Sequence, residues 1–188
     1  MRGVIKVGAH YGEGYQGYIN AGVKKFIFIE PVKSNYEILI NELPKSENIK
    51  IFNLAIGNFT GIVKMFVEQE NKGQSCSILK PTNHLVEYPN ILFNSEELVA
   101  IDKLDNVNYD RSLYDELHVK AQGYELEILK GATESLKSID TITIEVYRIE
   151  LFDGCPLFGD VIAYLHDFCL MGIKWRCKSW GIAEFKRL

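Results

Sequence analysis

Gly3-Val4-Ile5-Lys6-Val7-Gly8-Ala9-His10-Tyr11-Gly12-Glu13-Gly14 is the stretch that decides the fold: an apolar run from Gly3 to Val7 leads straight into a glycine-rich turn. Downstream, a second apolar run, Phe26-Ile27-Phe28-Ile29, ends in Glu30-Pro31. A strand, a glycine-rich turn, a short helix and a second strand closed by a carboxylate form the first half of a nucleotide-type binding site. The pattern predicts where a ligand sits.

Outward from this unit, apolar runs rich in Val, Ile and Phe alternate with segments of helical period. Strands are predicted at Val4 to Val7, Phe26 to Ile29, Ile49 to Leu54, Leu117 to Val119, Ile142 to Val146 and Gly172 to Cys177. Between the second and third, Tyr36, Leu39, Ile40 and Leu43 recur at helical spacing. Ser34 with Glu37 reads as a capping box, and Pro44 closes the helix. Leu126, Leu129, Ala132 and Leu136 give a second stripe, and Phe158, Val161, Ile162, Leu165 and Phe168 a third. Strand alternating with helix predicts an α/β fold, a mostly parallel sheet with helices on both faces.

The middle of the chain breaks that rhythm. Asn58-Phe59-Thr60-Gly61 reads as a turn, and Gly61 to Gln69 as an extended strand in an antiparallel or edge excursion. Residues 70–95 have little periodicity and are expected to form an irregular lid or binding loop.

With 188 residues, 47% of them hydrophobic, the chain is expected to fold around one core as a single domain, 1–188. Its net charge of -4 argues against a nucleic-acid footprint, which needs clustered Lys and Arg. Lys24-Lys25 and Lys174 to Lys178 read as solvated faces. Cys76, Cys155, Cys169 and Cys177 have no metal-ligand spacing, so no metal is expected. With no signal-like N-terminus, they read as reduced thiols of a cytoplasmic protein. Apolar runs fall short of the ~20 residues of a membrane span, so no membrane partner is expected.

The order of Val-Gly-Ala-His-Tyr-Gly-Glu-Gly, Ile-Glu-Pro-Val, Ala-Ile-Gly-Asn, Gly-Gln-Ser-Cys-Ser-Ile-Leu-Lys-Pro, Lys103-Leu104-Asp105, Gln122-Gly123-Tyr124-Glu125-Leu126-Glu127 and Glu145-Val146 resembles the FkbM-type methyltransferases. The resemblance covers essentially the whole chain, and the Gln-Gly-Tyr-Glu-Leu-Glu run is its most specific part. It implies a Rossmann-like class I methyltransferase fold with an antiparallel C-terminal strand. It also implies S-adenosylmethionine as cofactor and O-methylation of a hydroxyl on a sugar, polyketide or related small metabolite.

On that resemblance, Gly8, Ala9, His10 and Gly12 form one wall of the cofactor site. Gly8 and Gly12 are expected to admit a ligand close to the backbone, and the free N–H groups of the turn to receive its carboxylate. Glu30, with Pro31 after it, is placed to accept ribose hydroxyls. Ala55, Ile56 and Asn58 lie beside the adenine, and Lys120, Gln122 and Gly123 form the opposite wall. Glu125 orients a substrate hydroxyl or only complements a helix dipole; both readings stand. Glu145, emerging from a buried strand, is a candidate base whose pKa burial would raise. His10 is a further catalytic candidate. His84, His118 and His166 have no partner identifiable by spacing.

Two positions depart from the family pattern: Lys6 and Lys120 stand where Asp is usual. Two readings follow. In one, the chain is an active methyltransferase that tolerates the lysines. In the other, it is a degenerate member that binds a more anionic ligand or a protein partner. Lys6 either snorkels to solvent or pairs with a carboxylate such as Glu30 or Glu145.

Overall fold

A computed structural model describes residues 2–188. Its ten strands are β1 (Gly3–Val7), β2 (Lys25–Ile29), β3 (Ile49–Phe52), β4 (Ala55–Ile56), β5 (Gly61–Val67), β6 (Ser95–Asp102), β7 (Glu116–Val119), β8 (Thr141–Tyr147), β9 (Phe168–Trp175) and β10 (Trp180–Arg187). Six helices join them: α1 (Tyr15–Asn20), α2 (Lys33–Glu42), α3 (Asn83–Glu87), α4 (Glu125–Lys130), α5 (Thr133–Leu136) and α6 (Phe158–Tyr164).

The near-continuous apolar runs of β1, β2, β7 and β8 are what a parallel strand buried on both faces requires. They form the centre of a seven-stranded sheet in the order β3-β2-β1-β7-β8-β10-β9. The first five are parallel, and β10 runs antiparallel to both its neighbours, β8 and β9. The expected antiparallel C-terminal strand is β10, inserted between β8 and β9. Helices α1 and α2 close one face over Val4, Phe26 and Phe28, with Leu39 of α2 packed against them. Helices α4 and α6 close the other over Ile5, Ile27, Leu117 and Ile144.

Register fixes the site. Val7 lies opposite Ile29 on one side and Val119 on the other. Gly8, Glu30 and Lys120 therefore leave the sheet side by side at its carboxyl edge. The chain runs from β1 outward through β2 and β3, then returns to β7 on the opposite side, which makes the β1/β7 boundary the switch point where open α/β sheets bind ligands.

Several expectations are corrected. The run from Ile49 leaves the main sheet after Phe52, and Ala55–Ile56 pairs instead with β6 in a small second sheet of order β4-β6-β5. The expected excursion over Gly61 to Gln69 is β5, antiparallel to β6. The capping box does not form: Val32 is the N-cap of α2 and no side chain caps it, leaving Ser34 inside the first turn. The Leu126 to Leu136 stripe breaks into α4 and α5 at Gly131, where a Cβ would stand 1.8 Å from the Gly57 carbonyl oxygen. The third stripe ends as helix at Tyr164, and Phe168 opens β9.

The segment expected as a lid is irregular but tied down. It bridges Ser77 to Phe66 and Pro81 to Phe152, contains α3, and buries Cys76, Ser77 and His84. No described helix is long and apolar enough to cross a membrane.

Candidate functional site

An open cavity lies over the switch point. Its floor is the ends of β1, β2 and β7, its side wall is Leu54, Ala55, Ile56 and Met65, and its roof is Gly73, Gln74, Cys76 and Ile78 from the lid.

The turn after β1 is held by backbone bonds rather than left open. Gly8 and Ala9 N–H both donate to the Ile29 carbonyl (3.0 Å each), Gly12 N–H to Ala9 (2.9 Å), and His10 N–H to Glu30 Oε2 (2.8 Å). These N–H groups are committed within the protein, so the turn does not offer them to an anion, contrary to expectation. The glycines likewise serve protein contacts. A Cβ on Gly8 (φ +75°) would stand 1.7 Å from the Lys120 carbonyl oxygen, and one on Gly12 would press on Leu39 and Leu43.

Glu30 is 4% exposed and lines the cavity. Its Oε1 accepts the Val32 N–H (3.1 Å) and its Oε2 that of His10. Burial pushes its pKa up, against the pull of those two amides. A carboxylate has about four lone-pair sites, so acceptor capacity remains toward the cavity.

His10 is a strut between turn and lid. Nδ1 lies 2.6 Å from Glu13 Oε1 and Nε2 2.7 Å from the Lys72 carbonyl, while the ring stacks on Tyr11 at 3.7 Å. Its backbone is left-handed at φ 50°, as is that of Gln122 at φ 51°. Such strained non-glycine residues persist where the surroundings over-determine them, and they cluster at functional sites.

Both unusual lysines line the cavity. Lys6 neither reaches solvent freely nor pairs with Glu30 or Glu145; its Nζ donates to the Glu13 carbonyl (2.6 Å). Burial pulls its pKa down; Glu13 opposes this and Lys120 adds to it. The Lys120 N–H bonds the Val7 carbonyl (3.0 Å). Its ammonium has no hydrogen-bond or ion-pair partner among the described residues.

The second motif folds around Glu125. That carboxylate is 1% exposed and accepts the N–H groups of Ala121 (2.7 Å) and Gly123 (2.9 Å), one on each oxygen. It shapes the loop and does not line the cavity. Glu145 Oε2 accepts from Gln122 Nε2 (2.9 Å) and the Tyr147 hydroxyl (2.8 Å), whereas its buried Oε1 is unpartnered. Burial, and then the charge of Glu145, push Glu125 up to about 8. Burial pushes Glu145 up as well, while Lys120 pulls it down.

A pH dependence follows. The folded chain holds a proton on this pair that the unfolded chain gives up near the ordinary value of 4.5. Stability therefore falls as pH rises from about 4.5 toward 8 and levels off above. Glu145→Gln keeps an acceptor for Gln122 and Tyr147 while removing one negative charge, so urea unfolding of that variant is expected to lose less stability between pH 5.5 and pH 8.5. Parallel profiles for variant and wild type would contradict a shared proton.

Of the residues singled out in the sequence, Gly8, His10, Glu30, Pro31, Ala55, Ile56, Lys120 and Gln122 line the cavity. Ala9 is packed in the core beneath it, Gly12 faces α2, and Gly123 faces Cys155 and Leu79. Asn58 is turned away, donating to Glu127 Oε2 (2.6 Å). The roof comes from the Gly73 to Pro81 run within the stretch read as a lid or binding loop, and Tyr124 from the Gln122 to Glu127 run, whereas Met65 and Ile128 carry no sequence signal of their own.

A second, smaller chamber adjoins the first and shares Gln74, Lys120 and Gln122 with it. Its far wall holds His84, Tyr88, Tyr147 and Trp180. Two joined chambers suit a cofactor and a second reactant brought together at Lys120 and Gln122.

No protein of curated function matches the chain. Among solved structures it is similar to Sp1610 of Streptococcus pneumoniae, a candidate tRNA (m1A22) methyltransferase, with TM-score 0.55 and 11% identity over 99% of this chain and 64% of that one. The same protein in complex with S-adenosyl-L-methionine gives TM-score 0.54 and 12% identity over 100% and 67%. Magnesium protoporphyrin IX methyltransferase of Synechocystis PCC 6803, with bound cofactor, gives 0.53 and 8% over 98% and 69%. At these identities the likeness is one of fold: a Rossmann-like methyltransferase architecture. The chain spans less than two thirds of the first of these structures. The profile of the Methyltransferase FkbM domain matches residues 6–170. By that match, which takes in both walls of the cavity and the second chamber up to Leu151, the chain belongs to the FkbM methyltransferase-domain family.

Proposed function

We propose that this chain transfers a methyl group from S-adenosylmethionine to a hydroxyl of a small molecule, of the sugar or polyketide kind, held in the second chamber. The observation that carries this reading is Glu30, a buried carboxylate with spare acceptor capacity at the end of β2, opening into the cavity at the switch point.

Glu30 takes the ribose hydroxyls, and Leu54, Ala55 and Ile56 with Met65 and Ile78 enclose the adenine. Lys6, which lines the cavity beside the turn, meets the methionine carboxylate. The cofactor supplies an electrophilic methyl on a sulfonium. Gln122, braced by Glu145, positions the acceptor hydroxyl, and in-line positioning carries most of the rate. His10 and Glu125 are spent on the loops and act by shaping the site. The chain is read as one domain, 1–188.

The lysines favour a second reading, in which the cavity takes a more anionic ligand and no methyl transfer occurs. Calorimetric titration separates the two. S-adenosylhomocysteine, lacking the sulfonium charge, is expected to bind roughly tenfold more tightly than S-adenosylmethionine, and Lys6→Gln to weaken it by a similar factor. If neither ligand binds at millimolar concentration, the methyltransferase reading fails. If binding emerges only in Lys6→Asp with Lys120→Asp, the second reading holds.

A further inference from the structure

The second chamber has an uneven charge. Lys120 is the one residue lining it that carries a formal charge among the described residues; no carboxylate lines it. An ammonium half-withdrawn from water without a partner is costly, and such a charge is ordinarily compensated. Glu145 does not compensate it directly: its Oε2 is occupied by Gln122 and Tyr147, the two lie outside ion-pair distance, and burial drives that carboxyl toward its neutral form.

The opposite wall supplies polarity without charge. His84 lines the chamber with a buried, unpartnered Nδ1, and burial pulls its pKa down, which keeps the ring neutral. Tyr88, Tyr147 and Trp180 add hydroxyls and aromatic surface. A neutral polar wall facing a lone ammonium, beside the cofactor cavity, is a site for a hydroxylated ligand with one acidic group.

We infer that the methyl acceptor carries a carboxylate or phosphate as well as its hydroxyl, and that Lys120 is the counter-ion that seats it at the mouth of the cofactor cavity. This rests on the methyltransferase reading for the word acceptor, but the anion site stands on the chamber itself. Seating the anion offsets the repulsion that Lys120 exerts on the cationic cofactor. Acidic acceptor and cofactor therefore bind with positive coupling, and by linkage each strengthens the other equally.

The test uses the full chain at constant ionic strength with D-glucose, D-glucuronate and D-glucose 6-phosphate as probes, followed by ligand-observed NMR. At least one acidic sugar is expected to bind about tenfold more tightly than glucose, about 1.4 kcal/mol. The two acids distinguish carboxylate from phosphate. Lys120→Gln is expected to reduce the preference to within threefold, whereas Lys6→Gln, which lines only the cofactor cavity, keeps it. S-adenosylhomocysteine is expected to leave the acidic sugar bound. Equal binding of acid and neutral sugar, a preference that survives Lys120→Gln, or displacement by S-adenosylhomocysteine overturns the inference. Should S-adenosylhomocysteine not bind while the Lys120-dependent preference persists, the anion site stands and the methyltransferase reading falls.

Discussion

Glu30→Ala is expected to weaken S-adenosylhomocysteine binding by two to three orders of magnitude and to destabilise the fold at the same time. The side chain receives two amide hydrogens, from His10 and Val32, in a setting that is 4% exposed. Truncation orphans both donors, at about 1–3 kcal/mol each. Two lost hydrogen bonds to a bound ribose, each charge-assisted and worth about 1.5–3 kcal/mol, account for the affinity. The His10 turn also loses its anchor, so the wall above the cavity loosens. Glu30→Gln separates the effects, because it keeps the shape and one acceptor while turning an NH₂ toward a former donor. Its affinity is expected to fall between the other two. The measurement is calorimetric titration at a temperature where circular dichroism shows each variant folded. Binding by a folded Glu30→Ala within threefold of wild type would remove Glu30 from the cofactor site.

How far the sequence reveals this molecule depends on which residues carry periodic signals. The central strands were legible because burial on both faces demands unbroken apolar runs, as in Phe26 to Ile29. Strand β6 begins Ser95-Glu96-Glu97, since one face of the small second sheet is solvated, and it lacked that signature. The break between α4 and α5 was hidden because it depends on a contact between Gly131 and Gly57, distant in sequence. The floor of the site was legible for the same reason as the sheet: parallel register carries the ends of β1, β2 and β7 to one edge. Its roof was not. Gly73, Gln74, Cys76 and Ile78 reach the cavity because Ser77 pairs with Phe66 and its hydroxyl donates to the Gln122 carbonyl (2.7 Å). The contact that requires Gly8 is with the Lys120 carbonyl of the opposing loop, which no local pattern records, whereas Glu125 bonds the Ala121 and Gly123 amides of its own loop, in keeping with the structural one of its two readings.

Gly8→Ala is expected to be the most damaging single-methyl change in the chain, and its cost can be separated into parts. Gly17 sits within α1 with open space where a Cβ would stand, nothing lying inside 4 Å, so Gly17→Ala gains helix propensity and raises stability by about 0.5–1 kcal/mol. Gly22 is equally open but has φ +81°, so Gly22→Ala carries only the left-handed backbone penalty, roughly 1–2 kcal/mol. Gly8 has φ +75° and its Cβ would overlap the Lys120 carbonyl oxygen at 1.7 Å, with the carbonyl carbon at 2.9 Å. Neither atom belongs to a flexible side chain. Relief requires the ends of β1 and β7 to part, which strains the Lys120 N–H bond to Val7 (3.0 Å) and shifts Lys120 itself. A total above ~4 kcal/mol follows, in the range reserved for severe overpacking and backbone strain. For a chain of this length, each kcal/mol is worth about 2–4 °C, so a Tm at least ~10 °C below wild type, or an insoluble product, is expected. Thermal denaturation of the three variants side by side checks it. A Gly8→Ala variant no less stable than Gly22→Ala would mean that β1 and β7 do not meet at Gly8 and Lys120, and the floor of the cavity would have to be redrawn.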